Sequence, residues 1–254
     1  MTPRDESNMN DYSSDQVNAQ WKKIYLIGGY SALISFCLIL FDIVFGSTTS
    51  GNLTEISHSA IGIFSDLQNN WFTGLYRLDL LNMVNALIMI PVYFALFGAH
   101  RKNNLPYAAL SLILVLIGTT IMVSANTALP MLELGRKYVS STGEPERSLY
   151  AAAGEALIAR GRHGGFGTFI GFALSTIASI CVSYVMLHGR VFTRRVSYLG
   201  LIGHSLLLVY VVLVTFLPGI ESMAAIIAAP GGLMVLAWVI IVGRKLLKMG
   251  SELI

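Results

Sequence analysis

Arg77, Asp79, Asn82 and Asn85 sit in the first half of a run that otherwise reads as a membrane span. The run, WFTGLYRLDLLNMVNALIMIPVYFALFGA, extends from Trp71 to Ala99. An ionisable side chain at membrane depth costs about 2.5–3.5 kcal/mol on insertion scales, so these groups need polar company. On a helical wheel of about 100° per residue, they and Tyr93 share an arc of roughly 200°, with Leu80, Val84, Leu87 and Pro91 largely opposite. Asp42, near the far end of the preceding apolar run, falls at a comparable depth if the two runs are antiparallel neighbours. It lies about 6 Å from the end of its run, against about 9 Å for Arg77 and about 12 Å for Asp79. Two readings follow. Asp42, Arg77, Asp79, Asn82, Asn85 and Tyr93 form a site for a small polar or ionic ligand, or they form a structural ion pair with interhelical amide hydrogen bonds. Residues two apart on a helix lie about 200° around it, so Asp42 rather than Asp79 is the expected partner of Arg77. Asp79 and Asn82 are then expected to face a pocket.

A second pattern is the stripe Gly167, Gly171, Ser175, Ser179 and Ser183, small residues at every fourth position. Small side chains let helix backbones approach closely. The expected use is a packing seam inside the molecule, with a homo-oligomer seam as the alternative. A third pattern is Pro230-Gly231-Gly232 within the last apolar run, which either breaks the helix, as at transporter binding sites, or only kinks it. The transporter reading asks for a matching break in a second half, and no internal repeat supplies one.

Other chemistry finds little support. The two cysteines, Cys37 and Cys181, lie inside apolar runs without metal-ligand spacing, and read as packing residues. Of the histidines, His163, His100 and His188 sit at span ends and His204 lies inside a span. Only His100 with His188 could form a facing pair, and both sit beside basic residues at the cytoplasmic boundary, which falls short of a haem ligand set. Gly203-His204-Ser205 puts a histidine beside a serine, but adjacent helical residues do not face each other. No GxSxG, HExxH or paired intramembrane aspartate is present. No catalytic residue, metal or cofactor is assigned.

These residues need membrane helices to hold them. Of 254 residues, 54% are hydrophobic and 12% charged, where soluble domains carry about 25% charged. The net charge of +3 is dispersed beside apolar runs, which argues against a nucleic-acid partner. Six spans are expected, near Lys23–Phe45, Trp71–Ala99, Leu105–Ala125, His163–Leu187, Val196–Leu217 and Ser222–Val242. The first is too long for a signal peptide's apolar region of about 7–15 residues. Residues 1–20 are polar and expected to be a disordered tail, followed by a membrane domain over 21–248 and a short tail over 249–254. Asn52-Leu-Thr-Glu55 reads as a capping box before a short amphipathic helix through Ile61, Phe64 and Leu67. Two more amphipathic helices are expected near Pro130–Ser140 and Pro145–Arg160. Lys22, Lys23, Arg101, Lys102, Arg190, Arg194, Arg195, Arg244, Lys245 and Lys248 fall on one side of the six spans. The excess of Lys and Arg marks that side, and both termini, as cytoplasmic.

The residues Leu80-Leu81-Asn82 through Pro91, with Ala229-Pro230-Gly231-Gly232-Leu233, Trp238 and Gly243-Arg244, resemble a bacterial six-span family catalogued as domain of unknown function 4386. The resemblance covers the membrane domain. It implies an all-α bundle in a bacterial cytoplasmic membrane, and no activity. The expected function is binding, sensing or passage of a small polar or ionic ligand. Alternatives are an intramembrane enzyme acting on a lipid or membrane-dissolved substrate, and a structural subunit of a membrane complex. The expected partners are the lipid bilayer and an unidentified small ligand.

Overall fold

A computed structural model describes residues 3–49, 59–161, 165–217 and 219–251, without the side chains of 3–18 and 47–49. Among the described residues the chain forms ten α-helices and no strand. They are α1 (Pro3–Thr49), α2 (Ala60–Asn69), α3 (Trp71–Arg77), α4 (Leu80–His100), α5 (Leu105–Ala125), α6 (Ala128–Ser140), α7 (Glu144–Gly161), α8 (Phe166–His188), α9 (Arg194–Phe216) and α10 (Glu221–Ser251). Six of them, α1, α4, α5, α8, α9 and α10, are long and apolar enough to cross a membrane. The chain is a multi-pass membrane protein of the all-α class. Ile27, Ile34, Ile113, Ile170, Val209 and Ile226 are among its many exposed apolar side chains, which suits a lipid solvent rather than water.

The six spans close into a ring. Each packs on the next in chain order, α1 on α4, α4 on α5, α5 on α8, α8 on α9 and α9 on α10, and α10 returns to α1. Small residues set the close approaches. A β-carbon on Gly118 of α5 would lie 3.0 Å from the Gly171 carbonyl oxygen of α8, and one on Gly171 would lie 3.2 Å from that of Gly118. At the closing seam, a β-carbon on Gly243 of α10 would lie 2.9 Å from Cβ of Ala32 on α1. Such contacts replace the hydrophobic drive that is absent between helices in lipid.

One half of the ring is filled. Leu96 of α4, Met186 of α8, and Trp238, Val242 and Leu246 of α10 are fully buried there and belong to one core with Tyr25 and Phe192. The opposite end carries a cap of α2, α3, α6 and α7 around a second core of Ala60, Phe64, Leu67, Leu75, Ala128 and Met131. Local capping starts the cap helices. Ser59 accepts from the Gly62 N–H and Asn70 from the Thr73 N–H, relieving orphan donors of each first turn. Glu155 of α7 accepts from the Ala60 N–H at 2.7 Å and ties α7 to the start of α2.

Several expectations change. The run from Trp71 to Ala99 is two helices, broken at Leu78–Asp79. Asp79 has φ 61°, in the left-handed region, which aspartate tolerates better than most residues. The break is satisfied: Leu78 and Asp79 N–H groups donate to Leu75 and Tyr76 carbonyls, and Asn126 donates to the Leu78 carbonyl at 3.1 Å. Arg77 and Asp79 therefore precede the span instead of lying deep within it. Pro230-Gly231-Gly232 does not break the last span, since α10 runs continuously through Pro230. The helix of the first span extends back to Pro3, through the stretch read as a polar tail. Helices stand at the three expected places, as α2, α6 and α7; α2 and α6 are amphipathic, whereas the apolar residues of α7 are spread around the helix, and the Asn52–Glu55 capping box lies outside the described residues.

Candidate functional site

The cap-side half of the ring holds a cavity of about 270 Å³ to which all six spans contribute. Its polar wall comes from Ser35 and Asp42 on α1, Asn82, Asn85 and Tyr93 on α4, and Thr119 on α5. Ser175, Thr176 and Ser179 on α8 and His204 on α9 complete it. Apolar walls come from Ile39, Met89, Val115, Leu207 and Val235, among others. Gly232 of α10 faces it, and a β-carbon there would meet nothing within 4 Å.

Most polar groups of this wall are held by a neighbour. Ser35 donates to Asn85 Oδ1 at 2.7 Å, joining α1 to α4. The Tyr93 and Ser179 hydroxyls bond each other across α4 and α8, and Ser179 donates to the Ser175 carbonyl. Asn82 donates to Asp79 Oδ1 at 3.0 Å. His204 Nδ1 lies 2.8 Å from the Gly200 carbonyl. A carbonyl only accepts, so Nδ1 carries the proton and Nε2 is left as an acceptor. The His204 ring stands edge-on to Trp238, with centroids 5.2 Å apart. Thr119 differs: it is 2% exposed, and its Oγ1 has no hydrogen-bond partner among the described residues. Buried polar groups are nearly always satisfied, and an orphan calls for an explanation.

Asp42 does not pair with Arg77. Its Oδ1 accepts from the Tyr76 hydroxyl at 2.8 Å, and the same hydroxyl reaches the Asp42 carbonyl at 3.2 Å. Burial, then the adjacent carboxylate, push the Tyr76 phenol well above its ordinary pKa, so it remains a donor. Arg77 turns into the cap, where Nη1 meets Asp66 Oδ2 at 3.0 Å. Its Nε is buried without a partner among the described residues. Helix matching paired the charges by depth in two continuous spans; the break at Asp79 points Arg77 toward α2 instead.

Of the residues marked from the sequence, Asp42, Asn82, Asn85 and Tyr93 line the cavity. Asp79 lines a narrow recess that shares Asn82, Met122 and Phe172 with it. Arg77 lines neither. The small stripe of α8 is engaged within the chain, and on several partners. A β-carbon on Gly167 would strike the Arg160 carbonyl of α7, Gly171 and Ser175 meet α5, Ser179 meets Tyr93, and Ser183 lies against Gly200 of α9. A four-residue spacing drifts about 40° per step on a helix of 3.6 residues per turn, so the stripe winds across successive neighbours. Ser35, Thr119, Thr176 and His204 were not marked as site residues, since a lone hydroxyl or histidine on an apolar run carries no directional signal; Gly232 was marked only through the Pro230-Gly231-Gly232 break that α10 does not show. A further recess of about 370 Å³ lies in the cap between α2 and α6, with Gln68, Arg136 and Ser140 as its polar groups.

A family described as Domain of unknown function (DUF4386) matches over residues 57–243. That stretch includes every cavity residue from α4 to α10 and leaves out those of α1. Neither the curated proteins nor the solved structures give a match.

Proposed function

The chain belongs to the DUF4386 family, and we propose that it binds a small polar ligand in the cavity enclosed by its six spans. The observation carrying this reading is a space of about 270 Å³ within the ring, bordered by polar side chains of α1, α4, α5, α8 and α9 and left open beside Gly232. The volume lies just below the range of about 300–1,000 Å³ typical of small-molecule sites.

Binding and sensing fit better than passage. The filled half of the ring, with Leu96, Met186, Trp238 and Leu246 all fully buried, lies between the cavity and the basic end. We place that end in the cytoplasm by its Lys and Arg excess, with both termini there and the cap outside, in a bacterial cytoplasmic membrane. Asp42 and Asn82 then mark the outward end of the cavity.

Native mass spectrometry of protein purified from membranes tests the binding reading. Wild type is expected to carry a small molecule that Gly232→Leu, which fills the open space, does not carry. Identical spectra from both, with the variant folded, would contradict it.

A further inference from the structure

We propose that the cavity selects a small protonated amine with an apolar body; the inference rests on the ligand-binding reading above. The charge on the wall comes first. Asp42 supplies a carboxylate, and no lysine or arginine lines the cavity among the described residues. The cation that depth alone would assign to Asp42 is instead held by Asp66 at 3.0 Å. The only described hydrogen-bond partner of the Asp42 side chain is a neutral phenol. An anionic ligand would meet this carboxylate in a space largely walled by apolar side chains, where charge repulsion is poorly screened. A cation would find its counter-charge.

Hydrogen-bond capacity points the same way. Asn82 gives one of its two amide N–H groups to Asp79, and its Oδ1 is left to accept. His204 spends its Nδ1–H on Gly200, so Nε2 is left to accept. With Asp42 these offer three acceptors, beside the amide N–H groups of Asn85, whose Oδ1 is taken by Ser35, and an alkylammonium is a donor-only group with three N–H bonds. The rest of the wall suits hydrocarbon more than a metal ion. Ile39, Val115, Leu207 and Val235 offer no ligand atoms, and no group of three His, Cys, Asp or Glu converges among the described residues.

Calorimetric titration of the full chain in detergent at neutral pH tests this with three probes of similar shape: 2-phenylethylamine, 2-phenylethanol and phenylacetate. The amine is expected to bind tighter than the alcohol by roughly tenfold or more, and phenylacetate weakest. Asp42→Asn keeps the size of the side chain and is expected to erase the amine's advantage over the alcohol. Gly232→Leu is expected to abolish binding of all three. Equal affinity of wild type for amine and alcohol, or tighter phenylacetate binding, overturns the charge selection and leaves the cavity reading standing. That arm needs no variant to fold. Binding of none of the probes to wild type, or binding untouched by Gly232→Leu, overturns the cavity reading itself. Displacement of the amine by sodium chloride but not by choline chloride would reassign the site to a metal cation.

Discussion

Gly171 and Gly232 are both helical glycines in the ring, and their surroundings are opposite. At Gly171 a β-carbon would come within 2.7 Å of Met122 Cγ and 3.1 Å of the Met122 backbone nitrogen. At Gly232 it would meet nothing within 4 Å. The first glycine brings two backbones together, and the second leaves a space open. A closed ring of six helices has a central gap that side chains either fill or leave. Large residues such as Trp238 and Leu96 fill it toward the basic end. Toward the cap, polar side chains surround what remains. The same contrast holds for two carboxylates: Asp66 in the cap has its arginine, while Asp42 in the ring has a phenol.

The largest effect separates the two glycines. Overpacking a well-packed site costs typically about 1–3 kcal/mol and occasionally more. Gly171→Leu belongs at the upper end, because the obstructing atoms include backbone. Its folded yield in fluorescence-detected size-exclusion chromatography should collapse, while Gly232→Leu should elute as wild type. Equal losses would erase the distinction.

A smaller effect concerns the carboxylates. A double-mutant cycle on Arg77→Ala and Asp66→Ala should give a coupling of about 1 kcal/mol, the upper end for partly exposed pairs. The cycle of Arg77→Ala with Asp42→Ala should be additive. Coupling to Asp42 and not to Asp66 would reverse the assignment. Smaller again is Gly232→Ala, expected to raise Tm, because a glycine inside a helix costs about 0.5–1 kcal/mol relative to alanine and the added methyl has room. A lowered Tm would mean the space is occupied by protein. Least of all, Thr119→Val should leave Tm unchanged or slightly higher, since no hydrogen bond is lost. A marked drop in Tm would show a partner for the hydroxyl.

The membrane spans were legible because an apolar run of span length has few other uses, and the first cap helix because Ile61, Phe64 and Leu67 recur at helical spacing. The candidate site was legible in part. Asn82, Asn85 and Tyr93 share one helix face, and periodicity alone groups them. Asp42 was found by assuming that antiparallel neighbours match in depth. That assumption failed for Arg77, since a left-handed residue at Asp79 ends one helix and starts another, and wheel angles do not carry across such a break. Asp66, eleven residues upstream of Arg77 in sequence, sits in a segment that depth matching never considers. His204 and Thr119 stayed hidden for another reason, and Gly232 was noticed only as a possible helix break. Each lies on a different span, and only closure of the ring brings the three spans around one space.

The central claim is that this space is open to a small molecule while the neighbouring interior is closed. It is tested most directly by cysteine accessibility in a chain whose Cys37 and Cys181 are replaced by alanine. Gly232→Cys places a thiol on the cavity wall, and Ser183→Cys places one at a buried position outside it. With methyl methanethiosulfonate on the folded protein in membranes, the account predicts rapid modification at position 232, slowed by 2-phenylethylamine, and negligible modification at position 183. Equal reactivity at the two positions, or a faster reaction at 183, would contradict it.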